Sequence, residues 1–368
     1  MHVRYSYLPQ QFADITGLLA EIEAFVKSGD FTLGEPLARF ERGFAALLGA
    51  RHAIGVGSGT DALKLPLRAL GIGPGDEVIT TANTFIATVG AIAEVGARPV
   101  FVDCDDTFCM DVGQVEAAIK PRTKAIMPVH YTGYMTDMPR LVEVAKGRDL
   151  PIVEDACQAI LADIEGRRAG TWGITGGFSL HPLKNLNVWG DGGVIVTDDD
   201  AMATQLRLLR NHGMVNRDEI AVLGYNSRLD TLQAVVGNWL LPQTELIAQR
   251  RIDNAEHYDA AFSEIEGITI PPRIAGMRRV YHLYIVFAED RDALLSHCLA
   301  NGIEAKVHYP IPVYRQKALA HLGHRIGDFP VSDRHTESII TFPCDQHLSR
   351  AEQDHVIATV REFYEAGR

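Results

Sequence analysis

Residues 151–156 read Pro-Ile-Val-Glu-Asp-Ala, a short apolar run that ends in two carboxylates. Similar β-rich runs occur at residues 76–81, 99–104, 125–130, 176–181 and 192–197. Several of them are continuously apolar and flanked by turn residues, which is typical of strands buried on both faces. Helical patterns lie between them, such as residues 201–210 after an Asp cluster suited to N-capping. This alternation predicts an α/β fold with a mostly parallel central sheet.

The pattern changes after Leu229, where one helical stretch continues to about Phe262. Shorter elements follow, with strands expected at residues 281–287 and 304–308 and helices expected at 290–301 and 351–364. We therefore predict a large domain over residues 1–240 and a smaller C-terminal α/β domain over residues 241–368.

One helical segment contains a breaker. Residues 61–70 have a helical pattern, yet Pro66 lies inside it. Because proline removes a backbone hydrogen bond, we expect a kink there or a helix that starts late.

Composition excludes several classes of protein. The 368 residues carry a net charge of −12, which argues against nucleic acid or an anionic membrane as the main partner. The N-terminal sequence has no secretory h-region, and no apolar run approaches the ~20 residues of a membrane span. Five cysteines without a CxxC pair favour free thiols over a disulfide framework or a zinc site. We expect a cytoplasmic protein.

A metal site has little support in the sequence. His321 and His324 form an HxxH pair without a nearby acid, which is more typical of a solvated helix end than of a metal site. We therefore predict no metal.

A glycine-rich segment, Gly-Val-Gly-Ser-Gly-Thr-Asp-Ala-Leu-Lys at residues 55–64, fails both the Walker and the GxGxxG spacing. It still has the form of a turn that opens into a helix. The free N–H groups and the positive dipole end of such a helix suit a phosphate. An ordinary αβ turn is the alternative.

Two further residues combine with that turn. Asp155 ends a predicted strand, where open α/β sheets bind ligands, although a helix N-cap is the alternative. Lys184 lies 29 residues further on among apolar residues and glycines. Desolvation would lower its pKa and make the amine nucleophilic, whereas a lysine that snorkels outward is the alternative. Phosphate cradle, carboxylate and lysine together are what a pyridoxal phosphate site needs.

With these residues in place, the chain resembles the DegT/DnrJ/EryC1/StrS sugar aminotransferases, a group with the fold-type I architecture of pyridoxal phosphate enzymes. The resemblance rests on motifs at residues 58–63, 71–80, 83–92, 153–159, 181–193, 224–234 and 306–312. They span nearly the whole chain in family order. A dehydratase branch of the family replaces the lysine by histidine, so Lys184 favours amino transfer.

The resemblance implies specific cofactor contacts. Lys184 looks like the lysine that forms the Schiff base and shuttles the proton, and Asp155 would pair with the pyridine nitrogen. Gln158 would lie near the ring hydroxyl. Phe85 matches the aromatic residue that stacks on the ring, with a plain core phenylalanine as the alternative. The phosphate contacts would be Gly59, Thr60, Ser179 and, from the other subunit, Asn226. The protein would then be at least a homodimer with shared active sites.

Three residues match substrate contacts in some members of the family. Arg228 would clamp an anion, with a helix-start salt bridge as the alternative. His308 and Tyr309 are the other two. For His308, a core histidine whose hydrogen bonds are satisfied within the protein is an equally good interpretation. The chain departs from many relatives at His181 and Leu183, and in the Ala-Ile-Leu that follows Gln158. These departures bear on substrate contacts rather than on the cofactor.

The implied activity is transfer of an amino group from L-glutamate to a keto sugar linked to a nucleotide. Glutamine is the less favoured donor. The residues at 227–234 and 306–312 are more similar to members that act on 3-keto sugars. The alternatives are a 4-keto sugar, a keto-cyclitol, a non-catalytic sensor or scaffold, and a nucleotide-binding module built on the glycine-rich turn.

Overall fold

The computed structural model describes residues 1–366. In that part of the chain the helices are α1 (Leu8–Gln11), α2 (Thr16–Ser28), α3 (Glu35–Leu48), α4 (Gly59–Ala69), α5 (Ile86–Glu94), α6 (Val112–Ala118), α7 (Met138–Lys146), α8 (Asp200–Arg210), α9 (Thr231–Leu240), α10 (Thr244–Phe262), α11 (Arg291–Ala300), α12 (Pro330–Ser338) and α13 (Arg350–Ala366). The strands are β1 (His52–Val56), β2 (Glu77–Thr81), β3 (Arg98–Val102), β4 (Thr123–Ile126), β5 (Val153–Asp155), β6 (Asp163–Ile164), β7 (Arg167–Arg168), β8 (Thr175–Ser179), β9 (Gly193–Thr197), β10 (Ile268–Thr269), β11 (Met277–Arg278), β12 (Tyr284–Ala288) and β13 (Ile339–Phe342).

The large sheet is built from two groups of strands, β3-β2-β4 and β5-β8-β9-β1. Parallel bridges from Ile126 to Ile152 and from Val129 to Asp155 join the two groups. Strand β9 is antiparallel to both of its neighbours, β8 and β1, and the other pairings are parallel. The predicted α/β fold with a mostly parallel sheet is confirmed.

Helix α4 corrects the expectation at Pro66. It begins early, at Gly59, and runs through Pro66 to Ala69 as one helix, so a late start is wrong. Ser58 fixes the start, because its side chain accepts a 3.1 Å hydrogen bond from the Asp61 N–H. Leu63 and Leu67 are fully buried, and this packing offsets the hydrogen bond that proline removes.

The C-terminal part has its own antiparallel sheet, β10-β12-β13, and helices α10, α11 and α13. The long helical stretch expected from Leu229 to Phe262 is in fact two helices, α9 and α10. They are separated by a 3₁₀ turn at Leu241–Gln243, where Pro242 cannot supply a backbone N–H. The strand expected at 304–308 is wrong as well, because only a bridge from Lys306 to Thr341 forms there.

The predicted domain boundary at residue 240 falls on the turn between α9 and α10, and it stays a prediction. Val3 and Tyr7 lie far upstream of it, yet they pack in the same core as Tyr258, Phe262 and other residues of the C-terminal part. The start of the N-terminal segment therefore packs in the core of the C-terminal part.

The expectations about membrane spans and about the HxxH pair concern residues within the described range 1–366. Within them, no helix has the length and apolarity that crossing a bilayer requires. The expectation that the HxxH pair lacks a nearby acid is wrong, because His324 Nδ1 lies 3.4 Å from Asp328 Oδ2. His321 instead faces the carbonyl of Ala318, at 3.2 Å, so the two rings have different partners.

Candidate functional site

A cavity of about 300 Å³ lies where strands of the large sheet end. The segments that follow β1, β2 and β4 reach it, as do the last residues of β5 and β8. This is the edge at which open α/β sheets bind ligands. The cavity brings together nine of the residues singled out from the sequence: Gly59, Thr60, Phe85, Asp155, Gln158, Ser179, Lys184, His308 and Tyr309.

The N-terminus of α4 forms one end of the cavity. Gly59 and Thr60 are its first two residues, so helix geometry leaves their N–H groups without a partner inside the helix. The positive end of the helix dipole lies at the same place. Ser179 packs so closely that a Cβ on Gly59 would lie 2.7 Å from the Ser179 Cβ. Only glycine permits this approach, which brings a hydroxyl beside two free N–H donors.

The Asp155 carboxylate is held in one orientation near the middle of the cavity. It is 5% exposed. Its Oδ2 accepts a 2.7 Å hydrogen bond from the hydroxyl of Thr88 in α5, and its Oδ1 accepts a 3.1 Å bond from the Cys157 N–H. Thr84 lies 2.7 Å from Thr88, hydroxyl to hydroxyl. A carboxylate fixed by two donors is suited to hold a protonated ring nitrogen.

A buried pair lies behind Asp155. The Glu154 carboxylate lies 2.8 Å from His130 Nε2, and both side chains are fully buried. Glu154 also accepts backbone hydrogen bonds of 2.6 to 2.8 Å from Gly170, Trp172 and Gly173. The pair ties the end of β5 to the loop before β8.

Lys184 follows β8 in a turn closed by a 2.8 Å bond from its N–H to the His181 carbonyl. Burial lowers the pKa of its amine, and the electrostatic influence of the nearby Cys157 and Asp155 opposes that shift. A lowered pKa leaves more of the amine neutral at pH 7, and the neutral amine is the form that attacks carbonyls and accepts protons.

Gln158 and Phe85 both line the cavity. The Gln158 side-chain oxygen accepts a 2.7 Å hydrogen bond from the Thr132 N–H, which orients the amide. The Phe85 side chain is 51% exposed, which rules out the alternative of a plain core phenylalanine. Its ring lies 5.8 Å from the Tyr309 ring, centroid to centroid.

His308 and Tyr309 form the wall contributed by the C-terminal part. His308 Nδ1 lies 2.9 Å from the Thr341 hydroxyl, and the His308 carbonyl accepts a 2.7 Å bond from the Tyr131 hydroxyl. Burial and the nearby Lys306 and Lys184 lower the pKa of His308 to about 4, so its ring is neutral at pH 7. Burial, with a smaller contribution from Asp155, raises the pKa of Tyr309 to about 12.

Asn226 and Arg228 do not line this cavity. Asn226 is exposed, and Arg228 Nη1 donates a 3.1 Å hydrogen bond to Asn211 Oδ1 rather than forming the alternative helix-start salt bridge. Between them, the Ser227 hydroxyl donates to Asp61 Oδ2 at 2.7 Å. The segment is thus anchored to α4, while Asn226 faces outward.

Sequence reasoning missed several residues of the cavity, namely Tyr5, Cys157, His282 and Lys306, and also Thr88 behind Asp155. Thr88 lies three residues after Phe85, so helical spacing from that aromatic could have identified it. Tyr5 has no local signal, because the N-terminal segment reaches the cavity only through tertiary packing.

Comparison with known proteins places this geometry in a family. Residues 15–361 match the DegT/DnrJ/EryC1/StrS aminotransferase family. The dTDP-3-amino-3,4,6-trideoxy-α-D-glucose transaminase of Streptomyces venezuelae is 42% identical over 94% of this chain and 92% of its own length. The UDP-N-acetyl-3-dehydro-α-D-glucosamine 3-aminotransferase of Acidithiobacillus ferrooxidans is 42% identical over 93% and 92%. A protein called pleiotropic regulatory protein, from Geobacillus stearothermophilus, is 39% identical over 99% of both chains.

Solved structures have the same fold as this chain over nearly its whole length. Streptomyces venezuelae DesV, crystallised with a ketimine intermediate, superposes with a TM-score of 0.96 and 40% identity over 99% of both chains. Spr1654 of Streptococcus pneumoniae, in its PLP form, gives a TM-score of 0.90 and 30% identity over 96% of this chain and 97% of its own.

The residues around the cavity fit pyridoxal phosphate. The close approach of Gly59 to Ser179 leaves a cradle of N–H and hydroxyl donors for a phosphate. Asp155 offers a fixed carboxylate for a ring nitrogen, and Lys184 offers an amine of lowered pKa for an aldehyde.

Proposed function

The chain belongs to the DegT/DnrJ/EryC1/StrS aminotransferase family and is a pyridoxal-phosphate-dependent aminotransferase; we propose that it moves the amino group of L-glutamate to the keto group of a nucleotide-linked 3-keto hexose. The observation that carries the proposal is the convergence of Lys184, Asp155 and the N-terminus of α4 on one cavity.

The lining of the cavity supports the proposed cofactor contacts. The N–H groups of Gly59 and Thr60 and the Ser179 hydroxyl would hold the phosphate, and Asp155 would keep the ring nitrogen protonated. Phe85 would cover one face of the ring, and Gln158 would lie beside the ring hydroxyl. When bound, pyridoxal phosphate supplies an aldehyde carbon that carries the amino group and a ring that withdraws electrons.

Lys184 would move the proton. Its Nζ would accept a proton from the α-carbon of glutamate and return it on the cofactor side, and the reverse transfer would complete the sugar half-reaction. The lowered pKa of Lys184 suits this role, because the same amine must accept and donate a proton near pH 7. Asp155 would act on the ring nitrogen and would not itself transfer the proton.

The 3-keto class is supported by two relatives whose names place the amino group at carbon 3 of a nucleotide-linked sugar. The cavity adds Tyr309 and the neutral His308, which can donate hydrogen bonds to sugar hydroxyls without adding charge. The alternative acceptors are a 4-keto sugar and a keto-cyclitol.

A homodimer with shared active sites is part of the proposal. Asn226 is exposed on a segment anchored to α4, and Arg228 lies next to it. A second copy of the chain would bring both side chains to a neighbouring cavity. Mixing Lys184→Ala with Asn226→Ala chains would test this, because mixed dimers would contain one intact site and regain activity that neither variant has alone.

The experiment that tests the function uses the holoenzyme with L-glutamate and a panel of dTDP-, UDP- and GDP-linked sugars carrying a 3-keto or 4-keto group. Mass spectrometry should detect amination of a 3-keto sugar, and Lys184→Ala should give none. Amination of 4-keto sugars alone would overturn the 3-keto assignment. A visible cofactor band that glutamate leaves unchanged would favour a sensor or scaffold.

A further inference from the structure

The cavity is short of positive charge for the ligands it takes. Among the described residues that line it, Lys184 and Lys306 are the two lysine or arginine side chains, whereas Asp155 and Asp191 add negative charge. The whole chain carries a net charge of −12, so its overall field repels anions. Glutamate and a nucleoside diphosphate sugar are both anions, and Lys184 is needed for the chemistry.

We propose that Lys306, held against the ring of Tyr5, binds an anionic group of the substrate, a carboxylate or a diphosphate, in the cavity of its own chain. This inference rests on the proposed function, and it assigns to that function a specific cation. Lys306 and Tyr5 would determine affinity for substrate without taking part in proton transfer.

The backbone of Lys306 is fixed. Its N–H donates a 3.0 Å hydrogen bond to the Thr341 carbonyl, and its own carbonyl accepts a 2.8 Å bond from the Thr341 N–H. The side chain reaches the cavity, where Nζ lies 4.1 Å from the centroid of the Tyr5 ring. A cation over an aromatic face at this distance is attracted by the ring.

Tyr5 is brought to this position by the N-terminal segment. Val3 donates a 2.8 Å bond to the Gly302 carbonyl and accepts a 3.0 Å bond from the Glu304 N–H. The Tyr5 N–H donates to Glu304 Oε2 at 2.8 Å. The Tyr5 ring also lies 5.6 Å from the His308 ring. The segment thus places one aromatic ring between a lysine and a histidine at the cavity wall.

Two of the histidines that line the cavity, His308 and His282, are poor substitutes for Lys306. Burial is the main reason that the pKa of His308 falls to about 4 and that of His282 falls well below its usual value. Both rings are neutral at pH 7. A neutral imidazole can donate a hydrogen bond but does not neutralise a carboxylate or a diphosphate.

Calorimetry on the holoenzyme tests the proposal without relying on turnover. The probes are 2-oxoglutarate for the carboxylate source and dTDP and UDP for the diphosphate source. Loss of one charge-assisted hydrogen bond in Lys306→Gln should raise the Kd of at least one probe about ten-fold, and Lys306→Arg should stay within about three-fold. Tyr5→Phe keeps the ring and should bind as wild type does, whereas Tyr5→Leu should bind more weakly.

Lys146→Gln is the matched control, because Lys146 is exposed in the last turn of α7 and does not line the cavity. A change confined to dTDP and UDP assigns Lys306 to the diphosphate, and a change confined to 2-oxoglutarate assigns it to the carboxylate. If Lys306→Gln binds all three probes as tightly as wild type, the inference is overturned. That result would leave amino transfer by Lys184 untouched, and failure of amino transfer would leave the measured Kd values untouched.

Discussion

The hydroxyl of Thr88 donates a 2.7 Å hydrogen bond to Oδ2 of Asp155, the carboxylate at the end of β5. Thr88 belongs to α5, which follows Phe85, so one short segment orients both the proposed ring-nitrogen partner and the proposed stacking residue. The geometry of the site therefore depends on residues that do not contact the cofactor themselves.

Replacing Thr88 by valine should weaken cofactor binding. The isosteric change removes one of the two donors to Asp155 and leaves Oδ2 without a protein donor, so the Kd for pyridoxal phosphate should rise about ten-fold. Equilibrium dialysis with absorbance detection measures it. Thr244→Val is the control, since Thr244 is also buried but donates to the Leu241 carbonyl. Equal effects of the two variants would contradict a positioning role for Thr88.

Gly59→Ala should damage the phosphate end of the cavity. The new Cβ would lie 2.7 Å from the Ser179 Cβ, a distance that forces α4 or β8 to shift. We expect a loss of pyridoxal phosphate affinity of about ten-fold or more, because the N–H donors would move. Gly17→Ala in α2 has no atom within 4 Å of its new Cβ and should leave cofactor binding unchanged. Unaltered affinity in Gly59→Ala would argue against the cradle.

Sequence reasoning succeeded where the signal was local. Asp155 ends one recognisable strand and Lys184 follows another, so their approach to one edge of the sheet could be predicted from the strand pattern. Pro242 is also a local signal, because it marks the break between α9 and α10 within the expected single helical stretch. Helical spacing from Phe85 could have identified Thr88, but its bond to Asp155, 67 residues away, has no local signal. Tyr5 and Lys306 could not be assigned, because Tyr5 lies about 300 residues from its partners Glu304 and Lys306. Such contacts arise from tertiary packing, which local periodicity does not encode.

The buried pair of His130 and Glu154 should contribute strongly to the stability of the folded protein. In Glu154→Ala, the loop N–H groups of Gly170, Trp172 and Gly173 lose their acceptor. The His130 ring loses its partner in the same variant. Removing one partner of a buried network costs about 3 to 5 kcal/mol, which urea unfolding would detect. Glu116→Ala, which breaks an exposed pair with Arg148, should change stability little. A small effect in Glu154→Ala would contradict this account.

His308 predicts a pH dependence of stability. Its pKa is about 4 in the folded protein and about 6.5 in the unfolded chain. Between these values the unfolded chain binds more protons than the folded protein, so stability falls as the pH drops from 6.5 towards 4. At pH 5 this residue has lowered the free energy of unfolding by about 2 kcal/mol relative to neutral pH. His308→Gln should therefore flatten the change in unfolding free energy between pH 7 and 5. His321→Gln is the control on an exposed residue, and an unchanged slope in His308→Gln would refute the assignment.

Lys184 is expected to carry the proton in transfer of an amino group from glutamate. The most direct test of this role is a single-turnover reaction of the pyridoxal phosphate enzyme with L-glutamate deuterated at the α-carbon. The wild type should release one 2-oxoglutarate per site as the visible cofactor band bleaches, with a slower rate for the deuterated donor, and Lys184→Ala should release none despite retaining cofactor. Formation of 2-oxoglutarate by Lys184→Ala at the wild-type rate would contradict the account.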